Sequence, residues 1–267
     1  ERCMKIGFIG CGNMAKAIIM GMINSGFADR EDIIASAASE NTKTYIQDIL
    51  EINAAGCNRE VVEKSDIVIF GIKPQMMEKV IAEIRDADTE GKVFVSLAPG
   101  KTFEWFNEQF GKSVALVRTA PNTPAMVGEG MTSITPGENV PADKADEIFR
   151  IFECLGKTAK VDEKLIDVAS AVSGASPAFV FMFIEALADG AVAEGMPRKL
   201  AYTLASQAVL GSGKMAVCSG KIPAQLKDEV TSPGGTTIEG INVLEDMGLR
   251  AAVMDAVRAS VAKSRQI

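Results

Sequence analysis

The chain contains no histidine among its 267 residues. That absence excludes Ser-His-Asp and Cys-His catalysis within one chain, histidine metal ligation and histidine acid-base work. Any chemistry here either needs no strong general base or takes one from lysine, aspartate, glutamate or tyrosine. Cysteine is sparse. Cys3, Cys11, Cys57, Cys154 and Cys218 are odd in number and widely spaced, with no CxxC pair. That spacing supports neither a disulfide framework nor a zinc site, and no metal is expected. The thiols read as structural groups of a reducing cytosol, which predicts a cytoplasmic protein.

Clustered cations are lacking too. A net charge of -7 and a pI near 4.9 argue against nucleic acid and against a membrane, whose anionic surface calls for basic patches. No uninterrupted apolar run approaches the roughly 18 residues of a membrane span, and the best candidate, Phe179 to Ala188, is short and contains Glu185. No basic segment followed by a long apolar stretch opens the chain, and Met4 is a plausible start, so no signal peptide is expected. What is present, 47% hydrophobic and 24% charged residues, suits a globular protein with a sizeable core. The length favours two domains.

Short apolar runs alternate with amphipathic segments through the first half. They predict strands over 5–9, 33–37, 54–56, 67–71, 93–97, 115–119, 131–135 and 158–161. Helices are predicted between them over 14–25, 42–50, 59–64, 76–85, 102–110 and 142–155. Such alternation builds βαβ units and a mostly parallel sheet. After about Asp162 strand signals vanish, and long helical patterns follow over 177–194, 197–219 and 240–265. The boundary falls within 156–164, dividing an α/β domain (1–160) from a helical domain (161–267). Between Ala169 and Ala188 the only charged residue is Glu185. Helices apolar on most faces are buried, and a region this small cannot hide that surface alone. A partner chain is the simplest cover.

The first strand runs into Gly10-Cys11-Gly12-Asn13-Met14-Ala15, a G-x-G-x-x-A pattern that opens a helix. Gly10 permits the tight turn, Gly12 lets a pyrophosphate approach the backbone, and Ala15 keeps the helix close to the strand. Free amides at the helix start, with the helix dipole, hold the phosphates. An Asp or Glu at the end of the second strand would bind the adenosine ribose of NAD. Here Ser36-Ala37-Ala38-Ser39 stands there, with no acid until Glu40 and with Lys43 beyond. Small hydroxyl residues leave room for a 2′-phosphate, so NADPH is favoured over NADH.

Two further clusters precede helical patterns: Ser173-Gly174-Ala175-Ser176-Pro177 and Thr231-Ser232-Pro233-Gly234-Gly235-Thr236-Thr237. Each alone reads as a helix-start signal. Beside a dinucleotide site they acquire another meaning, because adjacent glycines at a helix start offer bare amides to a small carboxylate.

Five blocks then occur in order. They are Gly10-x-Gly12-Asn13-Met14, Gly71-Ile72-Lys73-Pro74, Arg118-x-x-Pro121-Asn122-Thr123-Pro124, Ser173-Gly174-x-Ser176-Pro177-Ala178 and Gln225-Leu226-Lys227-Asp228-x-Val230-x-Ser232-Pro233-Gly234-Gly235-x-Thr237. From Met4 nearly to its end the chain resembles the pyrroline-5-carboxylate reductases, which catalyse the last step of proline biosynthesis, and residues 227–237 are the most specific part. The resemblance implies an α/β fold with an N-terminal Rossmann-type, mostly parallel sheet and a C-terminal all-α dimerisation domain. It implies a homodimer, alone or as the unit of a larger assembly of dimers. It also implies NAD(P)H as hydride donor to the C=N bond of a cyclic imine carboxylate.

Site residues carry over by position. Ile9, Gly10, Cys11, Gly12, Asn13, Met14 and Ala15 line the pyrophosphate, while Ser36, Ser39 and Asn58 reach the adenosine end. Ile72, Lys73, Pro74, Ala98 and Pro99 flank the ribose and nicotinamide. Ser232 and the amides of Gly234, Gly235 and Thr236 hold the substrate carboxylate, and Thr237, the implied catalytic residue, reaches the ring nitrogen. Ser173, Ser176 and Glu163 complete the substrate side. In the family this loop meets the cofactor of the other subunit. There are departures: Ala175-Ser176 stands where family members often have Ser-Gly, and Glu229 replaces a common amide residue, which weakens a cofactor contact. The missing histidine fits, because a protonated imine is already an electrophile and asks mainly for proximity, orientation and a hydrogen bond to nitrogen.

Two rivals share parts of this pattern. The 3-hydroxyacid dehydrogenases resemble the chain in glycine loop and two-domain plan, but follow the second-domain glycine turn with a lysine for proton transfer. Here Ala175 to Phe181 contains none. A non-catalytic NADP-binding reporter or scaffold would bind cofactor without turnover.

Overall fold

The computed structural model describes residues 4–98 and 100–266. They form two compact units: residues 4–175 with 260–266, and Ser176–Ala259.

The first unit is built on eight strands: β1 (Ile6–Ile9), β2 (Ile33–Ser36), β3 (Asn53–Ala54), β4 (Ile67–Phe70), β5 (Val93–Ser96), β6 (Leu116–Ala120), β7 (Gly130–Pro136) and β8 (Gly156–Lys160). Their order in the sheet is β3-β2-β1-β4-β5-β6-β7-β8, and every neighbouring pair is parallel except β6 and β7. Alternate side chains of the central strands enter two separate cores. Ile6, Phe8, Ile67, Ile69, Val93 and Val95 face one, while Ile9, Val68, Phe70 and Phe94 face the other. Helices α1 (Asn13–Asn24) and α6 (Ala142–Glu153) contribute Ile18, Met22, Ile148 and Phe152 to the first core. Helices α3 (Asn58–Lys64), α4 (Met77–Ile84) and α5 (Phe103–Phe110) contribute Val62, Ile81 and Phe106 to the second. Helix cover on both faces explains why these strands read as continuous apolar runs rather than alternating ones.

Every predicted strand is present, with ends displaced by a residue or two. The helix predicted over 42–50 is a short α2 (Glu40–Thr44) that widens into a π turn, Tyr45–Ile49. Helices α7 (Ile166–Ala169) and α8 (Ser176–Ala193) are joined by another π turn, Ser170–Ala175. The Ser173–Pro177 cluster therefore lies inside a continuous helical path instead of opening a helix. Pro177 has no amide hydrogen and its ring would crowd the carbonyl four residues back, and a wide turn is one way a helix accommodates that. This path, Glu163–Ala193, is long and apolar enough to cross a membrane by length and composition alone. The expectation that no such stretch exists is corrected here, because it required an unbroken apolar run, whereas a helix tolerates isolated charges within its length.

The second unit comprises α8, α9 (Arg198–Cys218), α10 (Pro223–Glu229), α11 (Thr236–Asp246) and most of α12 (Leu249–Ser264). The single helix predicted over 240–265 is broken at Gly248, whose φ of 74° ends α11. α8 and α9 leave Phe181, Met182 and Leu210 about 60% or more exposed in the single chain. Apolar exposure on this scale marks an interaction surface.

Candidate active site

The chain leaves β1 with β2 on one side and β4 on the other, so the crevice beyond its C-terminal end lies at the point where strand order reverses. Open α/β sheets bind ligands there. Gly10 makes the exit turn at φ 85°, and a Cβ on it would lie 2.5 Å from Ile72 Cγ2. Gly71 packs against the same turn, its would-be Cβ lying 2.5 Å from the Gly10 carbonyl and 2.9 Å from Ala15 Cβ. Gly10, Ala15 and Gly71 are thus a mutual close-packing set. Gly12 is different: its φ is −76°, and a Cβ there would meet only the Gly71 carbonyl, at 3.5 Å. A side chain at Gly12 would therefore fit the backbone and extend into the cleft that Gly12 lines. No side chain caps α1 among the described residues, so the amides of its first turn, at Asn13, Met14 and Ala15, are left without helical partners next to the opening that Gly12 lines. These residues fit the pyrophosphate of a dinucleotide.

The opening is a cleft of about 510 Å³. It brings together Ile9, Gly10, Cys11 and Gly12 from the turn, Ser36, Ser39 and Asn58 from the β2 side, and Ile72 and Lys73 from the β4 side. Pro74 starts the next 3-10 turn. Ala98 lies buried past β5, its amide donating to Ser96 Oγ at 3.2 Å. Neither borders the cleft, and Pro99 lies outside the described residues. Ser39 caps α2 by accepting from the Thr42 amide. Ser36 is buried, and its hydroxyl donates to Asn58 Oδ1 at 2.6 Å. Lys43, expected nearby, pairs with Glu40 at 2.7 Å. Burial pushes the Cys11 thiol above its ordinary pKa, against a smaller opposing pull from Lys16. On the outer side of the Gly56–Asn58 loop, hydrogen bonds from Lys64 and the Gly56 amide hold the Glu60 carboxyl below its ordinary range. Lys79 and Glu83 also line the cleft, and sequence reasoning missed both. They lie on α4, whose amphipathic pattern says which face is buried but not that the other reaches a ligand.

A larger hollow, about 970 Å³, is bordered by Phe103, Thr135, Lys160 and Glu163. The helix that starts there, α5, is capped by Thr102 Oγ, and its Phe103 amide donates to Glu163 Oε1 at 3.0 Å. An anion of the chain itself already occupies that helix start, so the cleft beyond β1 is the better cofactor site. Asn122, buried between the β6 end and the π turn, donates to the Ser173 carbonyl at 2.9 Å and accepts from the Met131 amide at 2.9 Å. The Ser173 hydroxyl turns back to the Ala169 carbonyl at 2.8 Å.

In the second unit the predicted substrate loop precedes α11. Gly234 has φ 66°, and Gly235 is the N-cap, with no side-chain cap bond. A Cβ on Gly235 would lie 2.4 Å from Ser232 Oγ, which would have to turn aside. Thr231 Oγ1 donates to the Lys227 carbonyl at 2.6 Å and ties the loop to α10. Ser232, Gly234, Thr236 and Thr237 are exposed, and Gly235 is partly so. Ser176 belongs to this unit as the first residue of α8. Glu229, standing where an amide residue is common, pairs with Lys221 at 2.7 Å. Among the described residues no cluster of acids and thiols is arranged to hold a metal ion.

Comparison with known proteins agrees with this anatomy. Residues 163–267 match the family model for pyrroline-5-carboxylate reductase dimerisation, and residues 5–100 match that for NADP oxidoreductase, coenzyme F420-dependent. Over 98% of both chains, the protein is 44% identical to the pyrroline-5-carboxylate reductase of Escherichia coli strain K12. It is 40% identical to that of Arabidopsis thaliana over 98% of this chain and 95% of the other. The Plasmodium falciparum pyrroline carboxylate reductase structure with NADP bound superposes with a TM-score of 0.90 at 31% identity, covering 99% of this chain and 98% of the other. The Coxiella burnetii pyrroline-5-carboxylate reductase structure gives 0.92 at 32% identity, with the same coverage.

Proposed function

The chain belongs to the pyrroline-5-carboxylate reductase family, and from that membership we infer how its own residues divide the work of reducing 1-pyrroline-5-carboxylate to L-proline. It is an oxidoreductase of the last step of proline biosynthesis and forms a homodimer through its helical C-terminal region. The carrying observation is the uncapped α1 start, opened by Gly10 and Gly12 at the strand-order reversal. Oxidation of NADPH with pyrroline-5-carboxylate, run beside a panel of hydroxy acids, tests the reading. Turnover should appear with the imine alone, and turnover of a hydroxy acid would point to the dehydrogenase rival instead.

When bound, the nicotinamide cofactor supplies the hydride. Ile9 to Ala15 hold its pyrophosphate, Ser36, Ser39 and Asn58 its adenosine end, and Ile72 to Pro74 with Ala98 and Pro99 its nicotinamide end. Ser232 and the Gly234, Gly235 and Thr236 amides hold the substrate carboxylate at the α11 start. The Thr237 hydroxyl oxygen accepts the N–H of the protonated ring nitrogen. Ser173, Ser176 and Glu163 shape the surroundings. The imine nitrogen arrives protonated, and as its carbon accepts the hydride the C=N electron pair settles on nitrogen. No base is required, which suits a chain without histidine.

Three finer readings follow. NADPH is preferred to NADH, supported by the acid-free end of β2; a higher kcat/KM with NADH would reject this. Residues 1–160 serve the cofactor and 161–267 the substrate and the dimer, and dimers can associate further. The protein works in the cytoplasm, consistent with four free thiols at Cys11, Cys57, Cys154 and Cys218.

A further inference from the structure

We propose that Glu83 is the residue that sets the limit of cofactor choice, its carboxylate favouring a ribose 2′-hydroxyl and opposing a 2′-phosphate. The proposal rests on the cleft beyond β1 being the dinucleotide site. β2 ends without an acid, yet the fold delivers one to the same place from α4. Glu83 lines the cleft together with Ser36, Ser39 and Asn58. Its Oε2 accepts from Asn58 Nδ2 at 2.7 Å, and Asn58 Oδ1 accepts the Ser36 hydroxyl at 2.6 Å. This chain fixes the amide orientation of Asn58 and engages the single proton of Ser36. What Glu83 then presents to a ligand is a carboxylate oxygen, an acceptor that a sugar hydroxyl can donate to. A phosphate monoester, which carries about −1.5 to −2 at neutral pH, has no proton to give it and is repelled.

One turn earlier on α4, Lys79 lines the same cleft and makes no hydrogen bond or ion pair among the described residues. The helix thus offers a cation and an anion four residues apart, and Glu83 is held by Asn58 rather than by Lys79. Lys79 draws a phosphate in, and Glu83 restrains that attraction.

The test is fluorescence titration of NADPH and NADH into the intact protein without imine, for the unmodified chain and for Glu83→Gln and Lys79→Met. The glutamine keeps an oxygen that can accept from Asn58, so it removes charge while keeping the orientation. NADPH should bind about tenfold tighter to Glu83→Gln, roughly the effect of one unit charge on a partly exposed anion. NADH affinity should fall severalfold, because the one oxygen glutamine keeps is engaged by Asn58 and its NH2 cannot accept the 2′-hydroxyl. Lys79→Met should move the ratio the other way. Competition by 2′,5′-ADP and 5′-AMP should follow the same pattern. An unchanged NADPH-to-NADH affinity ratio in Glu83→Gln, with an unchanged melting temperature, would overturn the proposal. If the unmodified protein bound neither dinucleotide, the assignment of the cleft would fall and this inference with it.

Discussion

Arg118 and Glu163 form an ion pair of unequal burial: Arg118 Nη1 donates to Glu163 Oε1 at 2.9 Å, with the arginine side chain 4% exposed and the glutamate 40%. The same carboxylate oxygen accepts the Phe103 amide at the start of α5, and the buried Arg118 Nε has no hydrogen-bond partner among the described residues. Glu163 is therefore the counter-charge for a guanidinium that β6 has taken out of water.

Removing that counter-charge should cost stability before it costs chemistry. Glu163→Ala should lower unfolding free energy by about 1–2 kcal/mol, less than a fully buried pair would lose because the glutamate is partly solvated. A shifted urea midpoint with an unchanged slope would report this. At temperatures where the variant is folded, kcat/KM should fall less than about threefold. A large kcat loss at unaltered stability would instead place the carboxylate against the substrate.

Hydride transfer to an imine needs no covalent intermediate, so no cysteine should be a nucleophile. Single serine replacements should keep most activity, Cys11 being the one whose loop is crowded enough to object. Burial raises the Cys11 pKa, so at any given pH less of it is thiolate than of a free thiol, and alkylation should need more alkaline solution. Mass spectrometry after iodoacetamide at neutral pH should find Cys57 and Cys218, both exposed, modified ahead of Cys11. Rapid neutral-pH labelling of Cys11 would contradict its burial.

Thr237→Val should reduce kcat/KM by roughly one to two decades, the loss of one hydrogen bond to a charged group, while leaving NADPH affinity intact. Unchanged kinetics would falsify the assignment of Thr237 to the ring nitrogen.

Shared sites can be tested by mixing two crippled variants. Gly12→Asp should fold, because φ at Gly12 is ordinary and a Cβ there meets only one atom, at 3.5 Å. Its carboxylate would stand where the pyrophosphate must lie. Co-refolded with Thr237→Val, it should regain activity, since about a quarter of sites in a statistical dimer mixture would join two intact halves. Absence of complementation would place each site within one chain. A fully active monomer by light scattering would reject the shared site and could not be reconciled with the exposed Phe181, Met182 and Leu210.

The sheet and its order of strands and helices were legible because their cause is local. Residues buried by helices on both faces leave continuous apolar runs, and Gly10 announces its turn through a left-handed φ of 85°, although the atoms that crowd it, at Gly71 and Ile72, arrive from the end of β4. The Ser232–Thr237 turn was legible through Gly234, whose φ of 66° favours glycine with no neighbouring atom involved. Helix breaks were harder. Gly248 divides α11 from α12 inside an otherwise helical pattern, and the π turn before Pro177 disguises a continuous helix as a helix start.

Composition and short-range pattern alone determined the mostly parallel α/β architecture, the phosphate turn and a chemistry without histidine. Tertiary structure alone decided which distant groups meet. Gly71 is held to glycine by the Gly10 carbonyl, Arg118 is neutralised by Glu163, forty-five positions away, and an acid absent from the end of β2 arrives beside Asn58 from α4. Periodicity reports which face of an element is buried, but a charge acts through space, and its neighbours there are chosen by the packing of whole elements rather than by spacing along the chain.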